Sequence, residues 1–84
     1  MNNKTIPNGN ISKPEQLGIL IRQVRKKQGI TQEDLSSLVG VGPRLIGEIE
    51  RGKPTAEIGK VFQLLAGLGL VISIASRTTR DHRE

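Results

Sequence analysis

The side chains best placed to bind another molecule stand at the starts of two consecutive helical segments. Thr31 and Gln32 open the first segment, and Arg44 lies in the first turn of the second, which begins at Pro43. Hydroxyl, amide and guanidinium groups at such positions donate hydrogen bonds to phosphate oxygens and to the edges of bases. The chemistry that this arrangement predicts is recognition by hydrogen bonding.

Catalysis is a poor fit for the remaining residues. The chain has no cysteine, and its one histidine, His82, lies near the end of the sequence. It has no glycine-rich phosphate loop and no spacing typical of metal ligands. We therefore expect no enzyme activity, no cofactor and no metal site. Phe62 is the only aromatic residue, so binding of single-stranded nucleic acid by base stacking is also disfavoured.

The spacing of apolar residues predicts two short helices around a tight turn. Residues 31–39 have an apolar side through Leu35 and Leu38, and Thr31 is the expected N-cap. Gly40 allows left-handed backbone at the turn, and another helix follows almost at once. Two helices joined in this way form a helix-turn-helix, whose second helix can enter the major groove of DNA.

A longer helix is expected before this motif, over residues 12–28. Ser12 can cap it, Pro14 suits its first turn, and Glu15 stands where a capping box needs an acid. Spacing of i, i+3, i+4 and i+7 gives the segment an apolar stripe for the core, formed by Leu17, Leu20, Ile21 and Val24.

Two more helices complete the predicted helical domain. The second helix of the motif is expected over about residues 43–51, with Leu45, Ile46 and Ile49 facing inward. A break at residues 52–54 precedes a last helix over about residues 55–67. The apolar positions of that last helix are Ile58, Val61, Leu64, Leu65 and Leu68.

Residues 70–76 form a β-branched segment that predicts a strand. A single strand has no partner in its own chain, so we expect it to pair with its copy in a second subunit about a two-fold axis. The small hydrophobic fraction of 35% also favours a homodimer, since so small a core is marginal alone. The predicted dimer interface contains Phe62, Leu70, Val71, Ile72, Ser73 and Ile74.

The chain of 84 residues divides into one domain with two polar ends. We assign residues 1–11 to a flexible arm, 12–69 to the helical domain, 70–76 to the dimerisation strand and 77–84 to a disordered tail. The longest apolar run, residues 64–75, is too short to span a bilayer, and no signal peptide is visible. We therefore expect no membrane partner and a cytoplasmic, nucleoid-associated protein.

Positive charge is concentrated before the motif. The formal net charge is +5, and residues 1–30 hold six of the basic side chains with one acid. Such a basic stripe can supply contacts to DNA phosphates, or it can be an ordinary solvated helix face. The stripe on the first helix consists of Arg22, Arg25, Lys26 and Lys27.

Two sequence patterns resemble one family. The pattern Arg-x-x-Arg-x-x-x-Gly-x-Thr-Gln runs from Arg22 to Gln32, and Ile-Glu-Arg-Gly closes the motif at residues 49–52. Together they resemble the lambda-repressor and Cro superfamily, known as the XRE type, over roughly residues 17–68. The resemblance implies an all-α, compact domain of four to five helices that binds DNA and regulates transcription in bacteria.

The flanking segments are similar to a narrower group, the HipB-like antitoxins. A polar arm precedes a Ser-x-x-Glu helix start, and the last helix passes straight into residues 69–74. This similarity implies one C-terminal strand that pairs across a homodimer. It also implies repression of the protein's own operon through a palindromic operator, and restraint of a HipA-like serine/threonine kinase toxin.

The resemblance implies that bases are read from the first turn of the second motif helix, by Gly42, Pro43 and Arg44, with help from Gln32. The guanidinium of Arg44 can bind guanine at two points. The glycines and proline depart from the superfamily pattern, because their side chains cannot donate. Gly47 and Glu48 follow one turn on, and Glu48 either accepts from cytosine or pairs with Arg44.

Phosphate contacts are expected from helix starts and exposed cations. The resemblance also implies that a basic residue on the first helix pairs with an acid near the end of the third helix, and we expect this pair to be Arg22 with Glu50. The predicted phosphate contacts are Thr31, Lys53, Arg25, Lys26 and Lys27.

Two other functions fit the same residues. One is a stand-alone repressor of phage or plasmid type that has no toxin partner. The other is a protein-interaction module that has lost DNA binding, which the bare glycines of the second motif helix would suit. A kinase gene beside this one separates the first alternative from an antitoxin, and DNA binding that is salt-sensitive and resists competitor excludes the second.

Overall fold

Four helices make up the fold in the computed structural model, which describes residues 10–76. They are α1 (Pro14–Lys27), α2 (Gln32–Val39), α3 (Pro43–Glu50) and α4 (Ile58–Gly67). Helix α1 packs against α3, and α2 packs against both α3 and α4. This confirms the predicted all-α helix-turn-helix architecture. The predicted tail and residues 1–9 of the predicted arm lie outside the described residues.

The core lies where the inner faces of the four helices meet. Val41, in the turn between α2 and α3, is buried and fills the angle between the two helices. Each fully buried aliphatic side chain contributes about 1.5–3 kcal/mol, so the fold rests on a short list of contacts. The buried apolar residues are Ile21, Leu35, Val41, Ile46, Ile49, Val61, Leu64, Leu65 and Leu68.

The start of α1 differs from the prediction. Lys13 is the N-cap and makes no side-chain capping bond, and the helix begins at Pro14. The backbone N–H of Ser12 donates to Oε1 of Gln16 at 2.6 Å. The predicted capping box of Ser12 and Glu15 was therefore wrong. Ser12 lies one residue before the N-cap, and the acceptor for its N–H is the side-chain amide of Gln16, not the carboxylate of Glu15.

The start of α2 confirms the predicted cap and adds a partner. Thr31 is the N-cap, and its hydroxyl accepts from the N–H of Asp34 at 2.9 Å. The N–H of Thr31 donates in return to Oδ2 of Asp34 at 2.9 Å, which completes a capping box. This backbone bond, followed by the Thr31 hydroxyl, holds the pKa of the Asp34 carboxyl below its usual value. Gly40 ends the helix with a left-handed φ of 77°.

Leu38 was wrongly assigned to the inner face of α2. Its relative exposure is 64%, whereas Leu35 is fully buried. Val39, at i+4 from Leu35, takes the inner position and packs against Gly67 of α4, where an added Cβ would overlap its side chain. At about 3.6 residues per turn, position i+4 lies about 40° around the helix from Leu35 and position i+3 about 60°, so Val39 continues the inner face better than Leu38.

Helix α4 begins three residues later than predicted. The N–H of Ala56 donates to the carbonyl of Lys53 at 3.4 Å, so a turn occupies the segment expected to start the helix. Glu57 is the N-cap, and its carbonyl accepts from Lys60 and Val61. Ile58 then falls in the first turn and is exposed, whereas the other apolar positions predicted for this helix are buried.

Residues 70–76 form no strand within the described chain. Leu70 is tied to the end of α4, since its N–H donates to the carbonyl of Leu65 at 2.8 Å. The next residues are exposed, with Val71 and Ile74 almost fully so. A strand ladder needs a second strand, so pairing across a dimer stays a prediction. No helix within residues 10–76 is long and apolar enough to cross a membrane.

Replacing Gly18 by alanine should destabilise the domain. An added Cβ would lie 2.5 Å from the carbonyl oxygens of Ile49 and Glu50, so α1 and α3 would have to separate. We expect a loss of about 1–3 kcal/mol in the free energy of unfolding, measured by denaturant titration with circular dichroism. The matched control is Gly59→Ala, whose Cβ meets nothing within 4 Å. It should be neutral or stabilise by up to about 1 kcal/mol. Equal stability of the two variants would contradict the close approach of α1 and α3.

Candidate nucleic-acid interface

The outward face of α3 carries the polar side chains of the motif. Arg44, Gly47, Glu48 and Arg51 recur at i, i+3, i+4 and i+7, so they share one side of the helix. The opposite side is buried in the core through Ile46 and Ile49. This division gives α3 one face for packing and one face that another molecule can reach.

Two cations flank a carboxylate on this outward face. Nζ of Lys53 lies 3.1 Å from Oε1 of Glu48, and Nε of Arg44 lies 3.7 Å from Oε2 of Glu48. The hydrogen bond from Lys53 is the main cause that holds the pKa of Glu48 below its usual value. The side chain of Arg44 is 92% exposed, so its guanidinium is open to a ligand despite the ion pair.

Gln32 is held in place instead of being free at the surface. Its Nε2 donates to Oε1 of Glu50 at 3.1 Å. A Cβ added to Gly47 would lie 3.5 Å from Oε1 of Gln32 and 3.2 Å from Nη1 of Arg51. Gly47 is therefore buried beneath two side chains.

A buried ion pair lies beneath Gln32 and corrects one prediction. Nε and Nη2 of Arg25 donate to the two carboxylate oxygens of Glu50, at 2.6 and 3.0 Å. The third nitrogen, Nη1, donates to the carbonyl of Ile30 at 2.8 Å. The partner of Glu50 is thus Arg25 and not Arg22, whose side chain is exposed. The hydrogen bond to Glu50 raises the pKa of Arg25, against the opposing effect of burial.

This pair also changes the expected role of Arg25. Its relative exposure is 6%, and all three of its guanidinium nitrogens donate to protein oxygens. Arg25 was predicted as a phosphate contact on the basis of charge alone. The structure gives it a structural position, because the side of α1 that it occupies faces α3.

A cleft between α1 and α3 gathers further basic side chains beside Gln32. Arg22 and Lys26 of α1 line one side, and Arg51 lines the other. Arg51 was predicted only as the end of the second motif helix and not as a candidate contact, and the structure places it in this cleft. The sequence does contain a signal for this position of Arg51, which stands at i+4 from Gly47. Because Gly47 has no side chain, the guanidinium of Arg51 has room to lie over the helix surface.

The other predicted contacts lie at separate places. Thr31 uses its hydroxyl for capping, while the first N–H groups of α2 have no acceptor within the helix and can face a phosphate. Gly42, Pro43, Lys26 and Lys27 are exposed. Residues 70–74 line an apolar groove with Ile11, Leu20 and Leu65. Among the residues that the structure describes, no group of acidic, histidine or cysteine side chains could hold a metal ion.

Comparison with known proteins identifies the family. The family model described as Helix-turn-helix, HTH_3, matches residues 21–71. An uncharacterized HTH-type transcriptional regulator, y4mF of Sinorhizobium fredii (strain NBRC 101917 / NGR234), is 50% identical over 64 residues, which cover 76% of this chain and 84% of that protein. An uncharacterized HTH-type transcriptional regulator of Haemophilus influenzae is 38% identical over 50 residues, 60% of this chain and 51% of that protein. The chain belongs to the XRE-type helix-turn-helix family of DNA-binding transcriptional regulators.

Solved structures narrow the likeness to HipB proteins. The chain superposes on HipB in a HipB–O4 20mer complex with a TM-score of 0.77 and 25% identity, covering 82% of this chain and 97% of that one. A HipA–HipB–O2–O3 complex gives the same TM-score of 0.77, identity of 25% and coverage of 82% and 97%. The predicted HipB-like resemblance is confirmed.

Replacing Arg25 by methionine should unfold much of the protein. The change leaves the Glu50 carboxylate buried without its partner, which costs about 3–5 kcal/mol. Arg22→Met is the matched control, because Arg22 is exposed, and it should change the free energy of unfolding by less than about 0.5 kcal/mol. Both are measured by denaturant titration. If Arg22→Met were the more damaging change, Arg22 would be the true partner of Glu50.

Proposed function

We propose that this regulator is a dimeric antitoxin that represses its own operon and restrains a HipA-like serine/threonine kinase toxin. The observation that carries the DNA-binding part is the outward face of α3, where Arg44 is 92% exposed in the first turn. The likeness to HipB, in complexes with DNA and with HipA, supports the remaining parts.

The base contacts are proposed for the first turn of α3 and for Gln32. Arg44 has the reach and the two parallel donors needed for O6 and N7 of guanine. Gly42 and Pro43 precede it and are exposed, so they offer a smooth surface against the groove. Gln32 keeps its amide beside α3 through the bond to Glu50, which holds it ready for a base edge or a phosphate.

The phosphate contacts are proposed for cations and helix ends around that face. The start of α2 offers backbone N–H groups at Thr31 and the residues after it. Lys26, Lys27 and Lys53 are exposed cations, and Arg51 joins them from the cleft between α1 and α3. Contacts on both sides of α3 would fix its orientation in the major groove.

Replacing Arg44 by alanine should weaken binding to the operator by roughly 5–150-fold, equivalent to about 1–3 kcal/mol of lost base contact. The measurement is fluorescence anisotropy with duplex DNA from upstream of the protein's own gene, repeated over salt concentrations with random competitor. Lys53→Ala should instead weaken binding to all duplexes alike and reduce the log–log salt slope by about 0.9.

The outcome for unmodified protein decides the DNA-binding role. Tight binding that survives competitor supports an autorepressor. Binding no tighter than to random duplex would refute autorepression at that site and favour a protein partner as the main function. An Arg44→Ala variant that binds the operator as tightly as the unmodified protein would refute base reading by Arg44.

Dimerisation is proposed through residues 70–74 and Phe62 of α4. Phe62 is 52% exposed, and the residues after Leu70 present apolar side chains to solvent. Exposed apolar side chains grouped in this way are a common mark of a subunit interface. A ladder between two copies of the segment would also satisfy the backbone groups that a lone strand leaves unpaired.

Replacing Ile72 by aspartate should convert the dimer to a monomer with unchanged helix content. A charge in the paired segment would be buried without a partner. Sedimentation velocity measures the mass, and Ile19→Asp is the control, because Ile19 is an exposed apolar residue of α1 away from that segment. A wild-type protein that stays monomeric at every concentration tested would refute the dimer.

The antitoxin part is tested with the neighbouring gene. If a kinase gene lies beside this one, expression of that kinase alone should arrest growth, and co-expression of this chain should relieve the arrest. The two proteins should also co-purify. Continued arrest in the presence of soluble antitoxin, or absence of such a gene, would leave a stand-alone repressor as the function.

A further inference from the structure

The carboxylate of Glu48 stands on the surface that is proposed to meet DNA. It lies on the outward face of α3, one turn after Arg44 and between two cations, Arg44 at 3.7 Å and Lys53 at 3.1 Å. An acid in this position is unexpected for a protein that binds a polyanion. It occupies two of the cations that phosphates or bases would otherwise attract.

The other acids of the described chain have different positions. Glu50 is buried with Arg25, and Asp34 belongs to the capping box of α2. Glu15, Glu33 and Glu57 lie in or before the first turns of other helices. Within residues 10–76, Glu48 is therefore the acid on the outward face of α3, the face that is proposed to enter the major groove of DNA.

The ion pairs of Glu48 are exposed enough to exchange. Its side chain is 27% exposed, and those of Arg44 and Lys53 are 92% and 41% exposed. Surface pairs of this kind are weak, so a better partner can replace either member. When Arg44 moves to a guanine, Oε2 of Glu48 loses its cation and needs a donor in return.

We propose that Glu48 is a specificity-determining residue, which accepts a hydrogen bond from the N4 amine of a cytosine in the operator and disfavours other DNA. The proposal rests on the proposed function, since it concerns the same face of α3. Cytosine offers a donor at the floor of the major groove with a C–H beside it. Guanine and thymine offer acceptors, and adenine places an acceptor next to its donor.

The penalty against other sequences follows from the same charge. In a complex that relies on phosphates alone, Glu48 gains no donor and its charge is brought toward the DNA backbone. Specificity can be built by such a cost against wrong partners as well as by attraction to the right one. The guanine and the cytosine should lie close in the operator, because residues four apart on a helix rise by about 6 Å, roughly two base-pair steps.

The experiment is a selection from a pool of random duplex DNA with the full chain. Wild-type protein should enrich a motif with guanine and, within about two base pairs, cytosine. Glu48→Gln should enrich a motif that keeps the guanine and loses the cytosine. Glu57→Gln is the matched control, because it removes one exposed acid elsewhere and should enrich the wild-type motif.

A second measurement tests the penalty against other DNA. Glu48→Gln should bind random duplex about fivefold tighter than wild type, as expected for removal of one unit charge about 4 Å from a phosphate in water. Glu48→Asp keeps the charge on a shorter side chain. It should bind random duplex like wild type, while its preference for cytosine weakens. Circular dichroism of each variant checks that the fold is retained.

Each outcome bears on the proposal. Loss of cytosine together with tighter random binding in Glu48→Gln supports it. A wild-type motif that Glu48→Gln leaves unchanged overturns it while DNA recognition by α3 stands. Equal gains in Glu48→Gln and Glu57→Gln also overturn it, because net charge would then be the cause. Failure of wild type to enrich any motif overturns both this inference and the proposed DNA-binding function.

Discussion

The buried ion pair between Arg25 and Glu50 fixes the arrangement on which the other contacts depend. Arg25 reaches both oxygens of Glu50 and the carbonyl of Ile30, and Gln32 adds a bond to the same carboxylate. One group of side chains thus joins α1, the turn before α2, the first residue of α2 and the end of α3. A bidentate pair permits few relative positions of its two helices. Removing one member leaves buried polar groups unpaired, which costs more than the pair contributes when intact.

The proposed DNA interface is the outer layer of this network. Glu50 orients Gln32, the amide of Gln32 covers Gly47, and Arg51 lies over the same glycine. Side chains on this surface therefore start from positions set by the core, which would lower the entropy lost if DNA binds here as proposed. Arg44 and Glu48 stand further out and keep more freedom. The site combines a fixed part near α2 with a part that can exchange partners.

The sequence allowed the helices and the class of protein to be predicted, because apolar periodicity, Thr31 and Gly40 are local signals. It failed where a choice depended on packing. Arg22 and Arg25 are three residues apart on α1, and only the orientation of α1 against α3 decides which of them meets Glu50. The inward position of Val39, which is partly buried whereas Leu38 is exposed, likewise depends on how closely α4 approaches at Gly67. No local pattern reports the partner of residues 70–76, because strand pairing joins segments that are distant in sequence or belong to different chains.

The two glycines of the recognition region differ in how much change they permit over evolution. Gly42 has a φ of −60°, which any residue can adopt, and an added Cβ there would meet nothing within 4 Å. A Cβ added at Gly47 would lie 3.2 Å from Nη1 of Arg51, so that guanidinium would have to move slightly. If Gly42 contacts bases as proposed, single substitutions there can change operator preference with little loss of stability, whereas a side chain at Gly47 also requires Arg51 to shift. Paralogues of this fold in one genome could diverge through the first position while the second kept their shared framework.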